Sequence, residues 1–461
     1  MAWDELGDIV VIVPGITGSV LRRDGRDVFG PSVGVWMRAL RSAGGSLRDI
    51  ALGEDRPGVA DLGDGVTADR LAPDAHLVPG LWKIDGYGRI AAWLQQRLRL
   101  AREVDLVEFP YDWRRDNRVA AQLLREQADR WLHERRKTFP RARLVLLTHS
   151  MGGLVARYYL EVLGGWSQTR RLITIGTPHR GSLNALNFLV NGLEKAFGLL
   201  DLTDLMRSCT SVYQLLPIYP CVSAGGAAPV RLTELAPALP GLDPVRVRAA
   251  DAFHREIERS VHRNRDDAAY REGGYTMNEV VGSEHPTWQS AEWAGDRLIM
   301  SRAWQAQDMG GDGTVPRVSA TAIEHSGDGG EWFAGTRHSS LQNADAVLLQ
   351  IRRTLVTPSL RLGQFRAMAP VTVSVDLADV YPPGEPPELR LRPSVAGTDL
   401  AVEVEAVTGG HPRWATRVAP AAGWQGVDLP VLPPGCYRVR VAGGRNVEPV
   451  TDLMTVAPGE P

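Results

Sequence analysis

The sequence predicts an α/β fold, a parallel sheet with helices on both faces, followed by an antiparallel β-sandwich. Three observations predict it. Short apolar runs alternate with helical patterns through the first half of the chain, and the run Ile9 to Val13 has no polar position. A strand without a polar face is one that is covered on both sides. Between these runs lie helix-length segments rather than two-residue turns, which makes neighbouring strands parallel. After about Arg366 the pattern changes to alternating apolar and polar residues, broken by Pro/Gly turns such as YPPGEPP and LPPG. That is the signature of short antiparallel strands.

The elements follow in order. Asp8 to Val13 is the first strand and ends in the turn Pro14-Gly15-Ile16-Thr17-Gly18-Ser19. Val104 to Phe109 is the second. From Asn117 to Lys137, Val119, Leu123, Leu124, Ala128, Trp131 and Leu132 recur at helical spacing, and Arg135, Arg136 and Lys137 suit the negative end of that helix. Leu144 to Leu147 and Leu172 to Ile175 are further short strands. Between Gly181 and Gly274 the alternation is lost, as expected of an insertion that forms a cap or lid (about 182–275), to which the Gly/Asp/Pro-rich region 30–80 adds. Strand signals return at Glu279 to Val281 and Arg297 to Met300. Val371 to Leu377, Leu400 to Val407 and Cys436 to Val441 form the sandwich, of roughly immunoglobulin-like form, with a tyrosine corner expected at Pro433 to Tyr437. The predicted boundaries are 1–365 for the α/β domain and 366–461 for the sandwich, joined by Arg361 to Ala369, within reach of a 461-residue chain.

Composition narrows function. A formal net charge of −2 removes any general electrostatic case for nucleic acid. The start of the chain, MAWDELGDIVVIVPG, runs through acidic residues directly into a strand, unlike a secretory signal, and no apolar run approaches the length of a membrane span. A cytoplasmic protein is expected, with Cys209, Cys221 and Cys436 reduced; a Cys209–Cys221 bridge is the alternative in an exported one. The His and Cys residues lack zinc spacing and Asp-rich calcium loops are missing, so neither metal nor cofactor is expected.

The stretch LVLLTHSMGGLVARYYL places Ser150 where an apolar strand breaks into an apolar helix. A tight turn there lifts a serine hydroxyl above a parallel sheet, as in the nucleophile elbow of the α/β-hydrolase fold. A plain Gly-rich turn is the alternative, and Thr148 stands where the elbow usually has Gly. In that fold the acid and the histidine follow the serine in the chain. Asp312 in GGDGTVP and His338 in GTRHSSL are in that order, with Asp308 the competing acid and His149, His179, His285 and His325 competing bases. His149 should point away from Ser150 and act as a support. Oxyanion donors would be the backbone amides of Met151, just after the serine, and of Ile16, where Gly15 lets the backbone approach.

Together these residues resemble the lecithin:cholesterol acyltransferase family, which includes group XV-type phospholipases and phospholipid:diacylglycerol acyltransferases. The matching segments are VVIVPGITGSVL, FPYDWR, THSMGGLVARYYL, ITIGTPHRGS, SVYQLLP, VVGSEHPTW, GDGTVP and RHSSL, in the family's order from about residue 8 to 350. The resemblance implies Ser150, Asp312 and His338 as a triad and Ile16 and Met151 as oxyanion donors. It also implies a lipid substrate and acyl transfer through a covalent intermediate. Thr148 departs from the pattern and should crowd the elbow without abolishing it. The disulfides and signal of secreted members are missing, so their biology does not carry over.

The expected activity is therefore cleavage of lipid acyl esters by a lipase, phospholipase or esterase, with a lipid acyltransferase as the alternative. A scaffold or partner-regulated effector, acting through the β-domain, is the reading outside hydrolysis. The apolar stripe Leu183, Leu186, Phe188, Leu189, Val190, Leu193, Phe197, Leu199 and Leu200 has two uses open to it: the cap's own core, or contact with acyl chains and a membrane surface. Trp36 and Trp82 are ambiguous in the same way.

Overall fold

The computed structural model describes residues 7–457 except 31–49, 57, 74–75, 79–81, 193–202, 326–330, 357–370, 408–413 and 445. Six parallel strands form the central sheet: β1 (Ile9–Val13), β2 (Leu106–Glu108), β3 (Leu144–His149), β4 (Thr169–Ile175), β5 (Thr276–Gly282) and β6 (Trp332–Ala334), in the spatial order β6-β5-β4-β3-β1-β2. The apolar runs are strands because both of their faces are buried, and the period of two divides them cleanly. Ile9, Val11 and Val13 enter one core while Val10 and Ile12 enter the other. Leu144 and Leu146 join the first core, Val145 and Leu147 the second.

Helices cover each face. On the first lie α2 (Asn117–Arg136), capped by the Asp116 carboxylate, and α3 (Gly152–Arg157), continued by a π turn at Tyr158–Val162. The stripe Ala120, Ala121, Leu124, Ala128 and Leu132 of α2 faces the sheet, close to the periodicity read from sequence. On the second face lie α1 (Gly88–Leu98), through Ile90, Leu94 and Leu98, and α6 (Asp345–Val356), through Leu348, Ile351 and Leu355. Truncating a fully buried leucine such as Leu146 or Leu348 to Ala should cost about 2–5 kcal/mol.

The described part of the insertion after β4 is mostly helical. It includes α4 (Leu183–Asn191) and α5 (Pro244–Arg265), whose apolar residues join the first core. Leu183, Leu186, Phe188, Leu189 and Val190 are all buried there, which is the first of the two uses expected of that stripe. Leu193, Phe197, Leu199, Leu200 and Trp36 lie outside the described residues, as does Arg361 to Ala369, and only the backbone is described at Trp82. The strand expected at Arg297 to Met300 forms at Leu298–Ser301 but does not join the main sheet. It pairs antiparallel with Ser290–Trp293, which pairs with Val222–Ala224. A short apolar run signals a strand without saying which sheet will take it. The PYDWR segment organises the region before α1: Trp113 packs edge-on against Phe29 at 4.7 Å, and the fully buried Arg114 reaches the Ile50 carbonyl at 2.7 Å and Asp64 at 2.9 Å.

From Val373 onward the strands form sheets of their own. β7 (Val373–Leu377), β9 (Glu388–Pro393) and β12 (Gln425–Asp428) make one. β8 (Val380–Tyr381), β14 (Val450–Val456), β13 (Gly435–Gly443), β10 (Leu400–Ala406) and β11 (Trp414–Val418) make the other. All pairs are antiparallel except β8 with β14. Between the sheets lies a separate core that includes Val375, Leu391, Val402, Val439 and Met454. The tyrosine corner forms, with the Tyr437 hydroxyl donating to the Pro433 carbonyl at 2.7 Å.

This β unit grips the loop between β6 and α6. Arg337 Nε lies 3.1 Å from Asp452, the Gly335 amide donates to Glu448 at 3.1 Å, and Arg438 Nε donates to Asp85 at 3.1 Å. Asp85 in turn donates its amide to the Ser339 carbonyl. Cys209 and Cys221 are free thiols, both buried. Among the described residues no helix is long and apolar enough to cross a membrane.

Candidate active site

At the end of β3 the chain turns sharply into α3, and Ser150 occupies the turn with φ of 52°. The left-handed region costs a non-glycine residue roughly 1–2 kcal/mol, so the fold must hold it there. It does so through the Ser150 amide, which donates to the Ile175 carbonyl at 2.9 Å, and through Gly153, whose amide donates to the Ser150 carbonyl at 3.0 Å. Thr148 does not spoil the elbow. It lies on the α3 side of β3, fully buried, and its hydroxyl donates to the Ile173 carbonyl at 3.3 Å.

Asp312 sits in the GDGTVP turn beyond the end of β5, where Gly282 leaves the room it needs. A Cβ on Gly282 would stand 2.3 Å from that of Asp312. His338 begins a 3-10 turn (His338–Asn343) after β6, and its amide donates to the Asp312 carbonyl at 2.9 Å. The three side chains then line up: His338 Nδ1 is 2.7 Å from Asp312 Oδ2, and His338 Nε2 is 3.0 Å from Ser150 Oγ. All three are at most 5% exposed, so little water competes for these bonds.

Burial alone would raise the Asp312 carboxyl pKa. His338 and the Val315 and Thr314 amides, which donate to Oδ1 at 2.7 and 2.9 Å, outweigh it and hold the pKa below its ordinary value. An ionised Asp312 fixes the His338 proton on Nδ1 and leaves Nε2 free to accept from the serine.

The competing residues are engaged elsewhere. Asp308 accepts from Gln289 at 2.7 Å and from the Gly310 amide at 2.9 Å. His285 bridges the Gly335 carbonyl and the Val375 amide, and His179 and His325 both face Glu279 at 3.6 Å. His149 is engaged by Tyr87 Oη, 3.0 Å from its Nδ1, and by the His338 carbonyl oxygen, 3.1 Å from its Nε2.

The Pro14-Gly15-Ile16 loop lies against the serine: a Cβ on Gly15 would stand 2.8 Å from that of Ser150. Met151 is the N-cap of α3, and neither its amide nor that of Ile16 donates a hydrogen bond among the described residues. Two buried residues escaped the sequence reading. Tyr87 and Tyr111 hold this loop, the first through the Gly15 amide and the second through the Pro14 carbonyl, each at 2.8 Å. A tyrosine inside a turn or a motif carries no signal of what its hydroxyl will meet.

A parallel sheet with a serine elbow on a central strand, and an Asp and a His arriving in order from later strand ends, defines an α/β-hydrolase. More particularly, part of the chain is similar to one family: the profile of "Lecithin:cholesterol acyltransferase" matches residues 82–233, which contain Tyr87, the elbow and α4. No curated protein matches the chain. Solved structures similar to it include lipase BlEst2 of Bacillus licheniformis in its mature form. That match is 12% identical with a TM-score of 0.33, covering 76% of this chain and 92% of that one. Phospholipase PlaB from Legionella pneumophila is 8% identical with a TM-score of 0.28, covering 98% and 92%.

Proposed function

We propose that the protein is a serine-dependent hydrolase of lipid acyl esters. The observation that carries this is the relay from Asp312 through His338 to Ser150, at 2.7 and 3.0 Å, with the serine held in a left-handed elbow. His338 takes the Ser150 proton as Oγ bonds to the ester carbonyl carbon, and the Ile16 and Met151 amides receive the developing oxyanion. The ester C–O bond then breaks, and the leaving alcohol departs with the proton from His338. Water, deprotonated by the same imidazole, attacks the acyl-serine and releases the fatty acid. The lipid class rests on the family match. The described apolar residues of α4 do not add to it, because they lie in the core.

The family profile is named for acyl transfer, which favours a second reading in which a lipid alcohol replaces water in the last step. Chemistry up to the acyl-enzyme is common to both. Wild type and Ser150→Ala should be incubated with phospholipid vesicles and with neutral acyl esters, with and without a long-chain alcohol and without added metal. Fatty acid release by wild type, lost by about 10⁶-fold in the variant, is the expected result. New ester in place of fatty acid would select the transferase. Equal release by both proteins would overturn the serine mechanism.

A further inference from the structure

Beside the Ser–His–Asp array runs a second polar chain. Tyr87 and His149 are both buried. The Tyr87 Oη is 2.8 Å from the Gly15 amide and 3.0 Å from His149 Nδ1, and His149 Nε2 is 3.1 Å from the His338 carbonyl oxygen. The direction of each bond follows from the ends. A carbonyl only accepts, so Nε2 carries the His149 proton. Nδ1 must then accept, and the Tyr87 hydroxyl donates to it. Only oxygen lone pairs are left to face Gly15, whose amide donates. Burial, reinforced by His338, pushes the His149 pKa down to about 3 and keeps this neutral arrangement in place.

The two ends of this chain are the residue before the Ile16 amide and the backbone of His338. Gly15 is in close packing with Ser150, so movement of the loop alters the distance between the serine and its oxyanion donor. Tyr111 holds the two ends of the turn, its hydroxyl donating to the Pro14 carbonyl and its amide to Ser19 Oγ, and does not bond the Gly15 amide. We propose that Tyr87 and His149 are positioning residues. Their relay sets where the Ile16 amide stands relative to Ser150 and couples that loop to His338. This rests on the reading of Ser150 as nucleophile and Ile16 as oxyanion donor.

Tyr87→Phe keeps the ring and removes both hydroxyl bonds. With a chromogenic acyl ester, kcat should fall by about 10- to 100-fold, the scale of a small misplacement of a reacting group, while KM stays within about twofold. The affinity for an acyl trifluoromethyl ketone, whose serine adduct carries the oxyanion, should fall by about the same factor as kcat/KM. The pH midpoint of kcat/KM should not move, because His338 keeps its Asp312 partner. His149→Ala should show a comparable loss, and His149→Asn, which retains an acceptor near the place of Nδ1, should recover part of it. Tyr87→Phe/His149→Ala should be no worse than the weaker single variant, since each breaks the same chain.

Unchanged kcat and ketone affinity in Tyr87→Phe, with a lowered unfolding temperature, would overturn the proposal in favour of a purely structural role. Multiplying losses in the double variant would overturn the coupling. If Tyr87→Phe does not fold, the His149→Asn and His149→Ala pair decides by the same readouts. Ser150→Ala separates the two levels: if it still turns over ester or binds the ketone as wild type does, the underlying reading fails rather than the relay.

Discussion

Replacing Asp312 by Asn tests the electrostatics of the site while leaving its shape almost untouched. Asp312 Oδ1 accepts from the Thr314 and Val315 amides, and Oδ2 accepts from His338 Nδ1. An asparagine must keep its oxygen on the two amides, because only oxygen can accept from them. Its NH2 group then faces Nδ1 and donates to it, which moves the His338 proton to Nε2, the nitrogen 3.0 Å from Ser150 Oγ. The imidazole now donates to the serine and cannot take its proton. Flipping the amide would aim NH2 at two N–H donors and leave both unpaired in a buried site, at roughly 1–3 kcal/mol each. The wrong tautomer therefore dominates. Such an error costs serine hydrolases about 10⁴-fold in kcat, or about 5.5 kcal/mol of transition-state stabilisation. The assay is kcat on a chromogenic acyl ester near pH 8, with circular dichroism confirming the fold. Asp308→Asn is the control and should stay within a few-fold of wild type, because Asp308 serves Gln289 and Gly310. Asp312→Asn within tenfold of wild type, or Asp308→Asn as damaging as Asp312→Asn, would refute the reasoning.

Other outcomes follow from the same geometry. Ser150→Gly should be more stable than Ser150→Ala by about 1 kcal/mol in urea unfolding, because glycine adopts a φ of 52° without strain; equal stability would mean that the elbow is unstrained. Gly15→Ala should lower kcat by about 100-fold with native circular dichroism, since its methyl would stand 2.8 Å from the Ser150 Cβ and must displace the loop. The fold should also be labile to acid. Burial lowers the pKa of His149 to about 3 and of His254 and His285 to about 4, from 6.5. The unfolded chain thus takes up protons below pH 6.5 that the folded one refuses, so stability is full above that pH. It should decline as pH falls from 6.5 towards 4, by up to about 1.4 kcal/mol per pH unit for each histidine. Urea midpoints that are flat between pH 7 and 5 would contradict this.

Much of this was legible in the sequence, for reasons that differ between elements. Ile9 to Val13 and Leu144 to Leu147 announce buried strands because they are short apolar runs closed by turn residues, all β-branched in the first, and α2 announces itself by its periodicity. The meeting of Ser150, Asp312 and His338 was legible because a strained turn, a Gly-rich loop and a fixed chain order mark the three positions. Partners brought together only by tertiary folding were not. Arg438 and Asp85 meet across 353 positions, and Tyr87 and His149 across 62, with no period or spacing to mark them. The same holds for Leu298–Ser301, whose strand character was plain but whose sheet was set by pairing with Ser290–Trp293. Thr148 was expected to crowd the elbow without abolishing it, and the elbow forms. Its hydroxyl bonds across to β4, an adjustment that depends on strand register and so is not written in the local sequence.

The central claim is that Ser150 is a nucleophile activated by His338. The most direct measurement is the intact mass of the protein after exposure to a serine-directed fluorophosphonate, followed by peptide mapping. The account predicts one adduct per chain, located on Ser150, with labelling abolished in Ser150→Ala and slowed by orders of magnitude in His338→Ala. An adduct on another residue, or a folded wild-type protein that hydrolyses esters while Ser150 stays unmodified, would contradict it.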